Sequence, residues 1–402
     1  MLTPEELLHI SDGAEDIAES LHRDILDRII ERIMLRIGRG DGYILTAQDK
    51  WQLQVLQDAG FLMEDIQKEI AKYTGLMQTE VAEAMEDAGV RSLAYDNKIY
   101  EAAGLSAAPL DQSPALIRIA QRNYEATMGT WANFTQSMAH AGGLVYQMSC
   151  DKAYNLVMSG TVSYSQAVKE ALADIVSEGV VVEYPTRKDT IETATMRAVR
   201  TGISQATAQI TDARMEEMDW DIILVSSHLG ARVTGKGDFT DHASWQGKFY
   251  SKSGKDKRFP PYSVCGQGNV QGIHGANCRH THGPGDGEHN PWKDYDSEEN
   301  RKAYEKQQRQ RTLENRIRKT KRDVMSVQTA RDSAKSDAVR AEFDHEYQRK
   351  AALLARQNAE YNQFCKDNNV PKRSERIAIA QWNRSEAAKA RAAAKRWREA
   401  NE

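Results

Sequence analysis

Between Asp296 and Asn369 the chain contains neither glycine nor proline, a run of 74 residues. The two residue types that most readily end a helix are missing there, so the stretch is committed to helix. Its apolar positions are thin, among them Leu313, Ile317, Val324, Val327, Ala334, Phe343 and Tyr347 at helical spacing. That sparseness predicts a long, exposed or oligomerising helix. Its first part is basic, with Arg309, Arg311, Arg316, Arg318, Lys319, Lys321 and Arg322. Pro371 ends it, and a last short helix carries Lys389, Arg391, Lys395 and Arg398.

The first 178 residues keep the same period. Thr3-Pro4-Glu5-Glu6 is an N-cap threonine, a proline at the first helical position and a glutamate three residues after the cap. Ile17, Leu21, Ile25, Ile29, Ile33 and Ile37 then recur every four residues until the glycines beginning at Gly38 break the pattern. This narrow apolar stripe needs a partner, and Leu21 to Ile37 is a candidate docking surface. Ile66, Ile70, Tyr73, Met77, Val81 and Met85 mark a further helix. Ser113-Pro114 starts another, which Gly142-Gly143 is expected to interrupt, and Ser163 caps one that Gly179 ends.

After Gly179 the period changes. Val180 to Tyr184, closed by Pro185, is β-branched and short, and reads as a strand. Asp189 caps a helix from about Thr190 to Met218, and Trp220 to Ser227 reads as a buried strand that delivers His228 and Arg232. Short strands are expected at Lys248 to Ser251 and Asn277 to His282. The fold class is therefore α+β and predominantly helical. Its expected parts are an N-terminal helical region (1–112), a helical middle (113–178), a small α+β domain (179–292) and a basic helical tail (293–402).

Residues 223–292 hold six of the ten histidines and two of the four cysteines, interleaved with glycines and aromatics. Packing alone does not call for that mixture. Two chemistries fit. Cys278, His280 and His282 alternate along an extended segment and share a face, and with Cys265, or His274 in its place, as a fourth ligand they form a candidate metal set. The close cysteine pair of structural zinc sites is missing, so no cofactor is required and zinc is the open alternative; reduced cysteines and hydrogen-bonded histidines account for the same residues. In a metal-free nuclease reading, His228, Arg232, His242, Lys248, Tyr250, Arg279 and His280 supply a histidine general base, a second group as acid, and an Arg or Lys that stabilises a phosphorane. The competing reading is a buried polar network anchored by Trp245. No Gly-x-x-x-x-Gly-Lys-Ser/Thr occurs, which leaves nucleotide hydrolysis unsupported.

Charge is uneven. Residues 293–402 hold 27 Lys+Arg against 18 Asp+Glu, a balance of +9 in a chain whose formal net charge is −4. Phosphate neutralisation by Arg309 to Arg322 would bring the tail to nucleic acid, whereas a solvated helix face explains the same run without a partner. No stretch approaches the roughly 18 apolar residues of a membrane span. The first residues lack the pattern of a signal peptide, so a soluble protein made in a cytoplasm is expected.

Ala198-Val-Arg200-Thr-Gly202, Val225-Ser-Ser-His-Leu-Gly-Ala-Arg232, His242-Ala-Ser-Trp-Gln-Gly-Lys248 with Tyr250, and Gly275-Ala-Asn-Cys-Arg-His280 together resemble the phage minor capsid protein 2 family, related to the Mu F-type head-morphogenesis proteins of tailed phages. Ala276 stands where the family has an aromatic, and the loop from Lys252 to Gly272 departs from its pattern. The resemblance implies a virion component in few copies, at the portal vertex or head interior and made in the bacterial host. It also implies portal and capsid proteins as partners, and a role in head assembly or in DNA packaging and ejection. An enzymatic module within 179–292 and an internal DNA-binding head protein are the alternatives.

Overall fold

The computed structural model describes residues 1–39, 48–184 and 187–401; Pro185 lies outside them. About 70% of the chain is helical, with small antiparallel sheets, so the protein is α+β and predominantly helical. In chain order the elements are α1 Pro4–His9, α2 Asp12–Ile37, α3 Gln48–Ala102, α4 Pro114–Ser159, α5 Tyr164–Glu178, β1 Val181–Tyr184, β2 Arg187–Thr190 and α6 Ile191–Glu217. There follow β3 Ile222–Val225, α7 His242–Trp245, β4 Phe249–Ser251, β5 His282–Pro284, α8 Ser297–Ser333, α9 Asp337–Asp367 and α10 Arg384–Asn401. Thr3 caps α1 as its sequence predicts, its Oγ1 accepting from the Glu6 amide at 3.2 Å while the Glu6 carboxylate accepts the Thr3 N–H at 2.7 Å.

The chain folds into two compact units, each drawn from three separate segments. The first comprises Met1–Glu15, Leu76–Ala132 and Thr193–Gln308. Its sheet has the order β4-β3-β5, with Ile223 opposite Tyr250 and Val225 opposite His282. Tyr100, Met215, Ile223, Val225, Trp245, Tyr250, Tyr262, Cys265, Ile273 and Cys278 form one buried cluster around it. Arg200 in α6 donates to the Leu8 carbonyl at 2.7 Å and to Ser11 Oγ at 3.1 Å, which ties the first segment down. A Cβ on Gly202 would stand 2.2 Å from Thr127 Oγ1, so this glycine of the same motif permits a close helix approach.

The second unit comprises Asp16–Gly75, Asn133–Glu192 and Arg309–Glu402. Here the apolar stripe of α2 is already covered: Leu21, Ile25, Ile29, Ile33 and Ile37 are all fully buried within the chain. Leu21 to Ile37 is therefore not an open docking surface. Nor do Gly142 and Gly143 interrupt their helix, because α4 runs through both. A Cβ on Gly142 would lie 2.9 Å from Ile66 Cδ1 and 3.2 Å from Ile29 Cδ1; the glycine buys proximity, not a break.

The glycine-free run is two helices, not one. Ser336 adopts an extended conformation (φ −96°, ψ 132°) and starts α9, and the Arg340 guanidinium donates to the Ala334 carbonyl at 2.8 Å. The thin apolar line is what directs this break: Leu313, Ile317, Val324, Val327, Phe343 and Tyr347 are at most 2% exposed, which a single straight exposed helix would not achieve. The basic residues are also engaged. Arg318 and Arg322 meet Glu19 at 3.2 and 3.1 Å, and Arg322 meets Glu192 at 2.6 Å. Lys321 donates to the Ile377 carbonyl, Lys319 faces Asp323 at 3.5 Å, and Arg309 and Arg316 share Glu360 at 3.5 and 3.8 Å. Arg311 has a partner as well. Glu192 further accepts from His22 Nδ1–H at 2.9 Å, while His22 Nε2 accepts the Val180 amide at 3.3 Å.

Candidate functional site

In the first unit, β3 hands the chain to Ser226, Ser227 and His228, and three loop stretches close over that end of the sheet. The first runs from His228 to Asp241, the second is α7 with Gln246, and the third is the loop from Gly266 to Thr281. The expected strand from Asn277 is loop instead: Asn277 sits at φ +60° and the Cys278 amide turns back to the Gly275 carbonyl at 3.1 Å, so β5 begins only at His282.

His280 is the centre of the cluster. Its ring stacks on His228 (centroids 4.6 Å apart, 25° between planes) and meets His242 at 5.3 Å and Trp245 at 4.9 Å. His242 packs on Trp245 at 4.5 Å. Gln246 Oε1 accepts both the His228 amide and His280 Nε2–H, each at 3.0 Å. His242 Nε2–H goes to the Gln271 carbonyl at 2.8 Å. Arg232 clamps the loops by donating to the Gln271 and Ala276 carbonyls, both at 2.9 Å, and Arg279 donates to His228 Nδ1 at 3.2 Å and Gln307 Oε1 at 3.3 Å. Cys278 Sγ lies 3.6 Å from His280 Nδ1 and accepts the His280 amide at 3.4 Å.

Burial sets the protonation of this cluster. Desolvation holds His242 down at about 4, with the nearby Arg232 charge acting in the same direction against the Gln271 hydrogen bond. Desolvation, then the neighbouring His228 and His242, keep His280 well below the ordinary imidazole range. Burial pushes the Cys278 thiol up to about 11 against its two backbone hydrogen bonds. His242, Cys278 and His280 are therefore neutral at pH 7.

A second chain of polar groups lies beside it. Ser204 Oγ is 2.9 Å from His274 Nδ1, His274 Nε2 is 2.8 Å from His282 Nδ1, and His282 Nε2 faces Asp212 Oδ1 at 3.4 Å without reaching hydrogen-bond geometry. Tyr262 OH also reaches His282 Nδ1, at 2.9 Å. Burial would raise the Asp212 carboxyl, but the His282, Gln267 and Lys252 contacts outweigh it and hold it below the carboxylate range. His274 sits at φ +58°, an unfavourable backbone for a non-glycine residue that Ser204 and His282 hold in place. It also borders a cavity of about 440 Å³ lined by Thr201, Gln205, Ile273 and Ala276 among others.

The sequence-derived sites are thus sorted by geometry. His228, His242 and His280 come together; Arg232 braces them. Tyr250 is buried in the sheet core with its hydroxyl donating to the Trp245 carbonyl at 2.5 Å, and Lys248 points outward and donates to the Ser244 carbonyl at 2.7 Å. Of the candidate metal set, Cys278 and His280 converge with His242, their donor atoms all within 4.8 Å of one another. His282 belongs to the Ser204–Asp212 chain and Cys265 to the hydrophobic cluster, because successive alternate residues of an irregular loop do not share a face as strand residues do. Sequence reasoning passed over Gln246, Ser204 and Asp212. The available signal was the run of polar residues on the inward face of α6, where Ser204, Thr207 and Thr211 are buried.

This is a predominantly helical chain carrying a small loop-rich module in which His242 and His280 are closed from solvent. The chain belongs to the phage minor capsid protein 2 family, whose model matches residues 2–354, into α9 and well beyond the motifs that carried the resemblance. It is therefore a structural head protein of a bacteriophage, a virion component that associates with other head proteins. No curated protein and no solved structure matches the chain. Among the described residues no helix is long and apolar enough to cross a membrane.

Proposed function

We propose that this head protein acts at the portal vertex or the inner face of the head, in few copies, in head assembly or in packaging and ejection of the genome, and that it works by protein–protein contact and not by catalysis. Closure of the imidazole cluster is the observation that carries this reading. His242 and His280 are 2% and 1% exposed, and their Nε2 atoms are spent on Gln271 and Gln246. A general acid or base must come within hydrogen-bond reach of a substrate proton. The arrangement instead fixes three loops against one another. Contact with packaged DNA through Arg309 to Arg322 is disfavoured for a parallel reason: Arg318, Lys321 and Arg322 are committed to Glu19, Ile377 and Glu192.

An RNase-like activity has one foothold, His228, which is half-buried with Arg279 at 3.2 Å. A phage carrying His228→Ala tests both readings. Expected are particles in normal yield that contain the variant beside the portal by cross-linking mass spectrometry, and wild-type protein that leaves RNA and DNA uncut. Cleavage by the wild type that His228→Ala abolishes overturns the structural reading, and cross-links confined to the outer head surface overturn the placement.

A further inference from the structure

We propose that His242, Cys278 and His280 form a binding site for a zinc-class divalent cation that staples the loops of the first unit. Their three donor atoms lie within 4.8 Å of one another in a buried setting. Each ring already has the partner that a ligating histidine has on its far nitrogen: Nε2–H of His242 is held by the Gln271 carbonyl and Nε2–H of His280 by Gln246 Oε1. With Nε2–H given to those oxygens each ring carries its lone pair on Nδ1, the arrangement in which outer hydrogen bonds orient metal ligands; Arg232 Nη1, 3.4 Å from His242 Nε2, is the competing donor at that ring. Cys278 Sγ sits 3.6 Å from His280 Nδ1, close to the edge of a tetrahedron built on metal–nitrogen and metal–sulfur bonds of about 2.1 and 2.3 Å. The His280 amide donating to the same sulfur at 3.4 Å suits a thiolate more than a thiol.

The donor set selects the cation. One sulfur and two imidazoles suit zinc and its d-block neighbours, and offer nothing to calcium or magnesium, which take oxygen. Binding replaces the Cys278 proton: the S–H bond breaks, the proton leaves to solvent and the sulfur bonds to the metal. Arg279 donates to His228 and Gln307, and Arg232 to the Gln271 and Ala276 carbonyls with its Nη1 also 3.4 Å from His242 Nε2, so neither guanidinium sits on Cys278 Sγ or His280 Nδ1. Because α7 supplies His242 and the 266–281 loop supplies Cys278 and His280, the metal would cross-link segments that otherwise meet through ring packing and hydrogen bonds.

The test uses the full-length chain, produced with zinc in the medium and then exchanged with cobalt. Expected are about one zinc per chain, a thiolate-to-cobalt charge-transfer band, and a thermal transition that falls on chelation. Cys278→Ser loses the band and the chelator effect, whereas Cys265→Ser, which alters a cysteine outside the trio, keeps both. His242→Gln weakens metal retention with its fold checked by circular dichroism. Wild-type protein that takes up neither zinc nor cobalt overturns the proposal even if the Cys278 variant fails to fold. So does a charge-transfer band that survives Cys278→Ser.

Discussion

Glu192→Ala removes the acceptor at the centre of the buried charge network of the second unit. Glu192 is fully buried, 2.6 Å from Arg322 and 2.9 Å from His22 Nδ1. Breaking a buried ion pair from one side costs about 3–5 kcal/mol because the surviving charge stays desolvated. Glu19 remains 3.1 Å from Arg322 and keeps part of the compensation, which moves the expectation to the lower end. His22 loses its acceptor, which adds part of the cost of an unsatisfied buried donor. We therefore expect about 3 kcal/mol, and about half as much for Glu192→Gln, which preserves shape and an acceptor oxygen.

Urea titration followed by circular dichroism reads this as a lower midpoint at unchanged slope for one transition of the two-unit chain. The pH dependence has a defined sign. Burial would raise the Glu192 carboxyl, but Arg322 and His22 outweigh it and hold it well below the carboxylate range. The contribution is therefore fully present above the unfolded value of about 4.3, and is lost only as pH falls into strong acid. A cost below about 1 kcal/mol, the range of exposed pairs, would falsify the claim that the network is desolvated and tightly held.

Three further substitutions test other parts of the architecture. Arg200→Ala strips hydrogen bonds from the Leu8 carbonyl and Ser11, and is expected to cost about 2–3 kcal/mol and to expose the first segment to limited proteolysis; unchanged cleavage of residues 1–15 refutes the role. Gly142→Val forces side-chain atoms against Ile29 and Ile66 and is expected to destabilise by about 1–3 kcal/mol in thermal melts, whereas a stabilised variant would show that α4 is not closely packed there. Lys321 is buried and held down to about 8 by desolvation. Its folded value lies below the unfolded value of about 10.4, so the unfolded chain binds the extra proton and stability rises with pH between the two. Lys321→Met should flatten that rise, and identical pH profiles for the two proteins would refute it.

The helical period was readable wherever apolar residues recur every three or four positions, and the caps at Thr3 and Ser163 fall where the sequence places them. The strands at 181–184, 222–225 and 249–251 also announce themselves through β-branched or aromatic runs. What local pattern misreads is partnership. Gly142 looks like a break and is a contact point; Ser336 looks helix-permissive and begins a new helix; Arg318 and Arg322 look like a solvated basic face and are paired with Glu19 and Glu192, far away in sequence. The units themselves are assembled from separated segments, which no contiguous boundary search recovers.

By itself the sequence determined the helical majority, the strands at 181–184, 222–225 and 249–251, and the concentration of histidine, cysteine and glycine in 223–292, because propensity, capping and periodicity act over a few residues. Only the tertiary structure decided which imidazoles meet and which stand apart. His242 joins Cys278 and His280, whereas His282, two residues from His280, joins His274 and Asp212. A left-handed turn at Asn277 and a loop clamped by Arg232 aim each side chain, and those orientations depend on contacts between residues tens of positions apart.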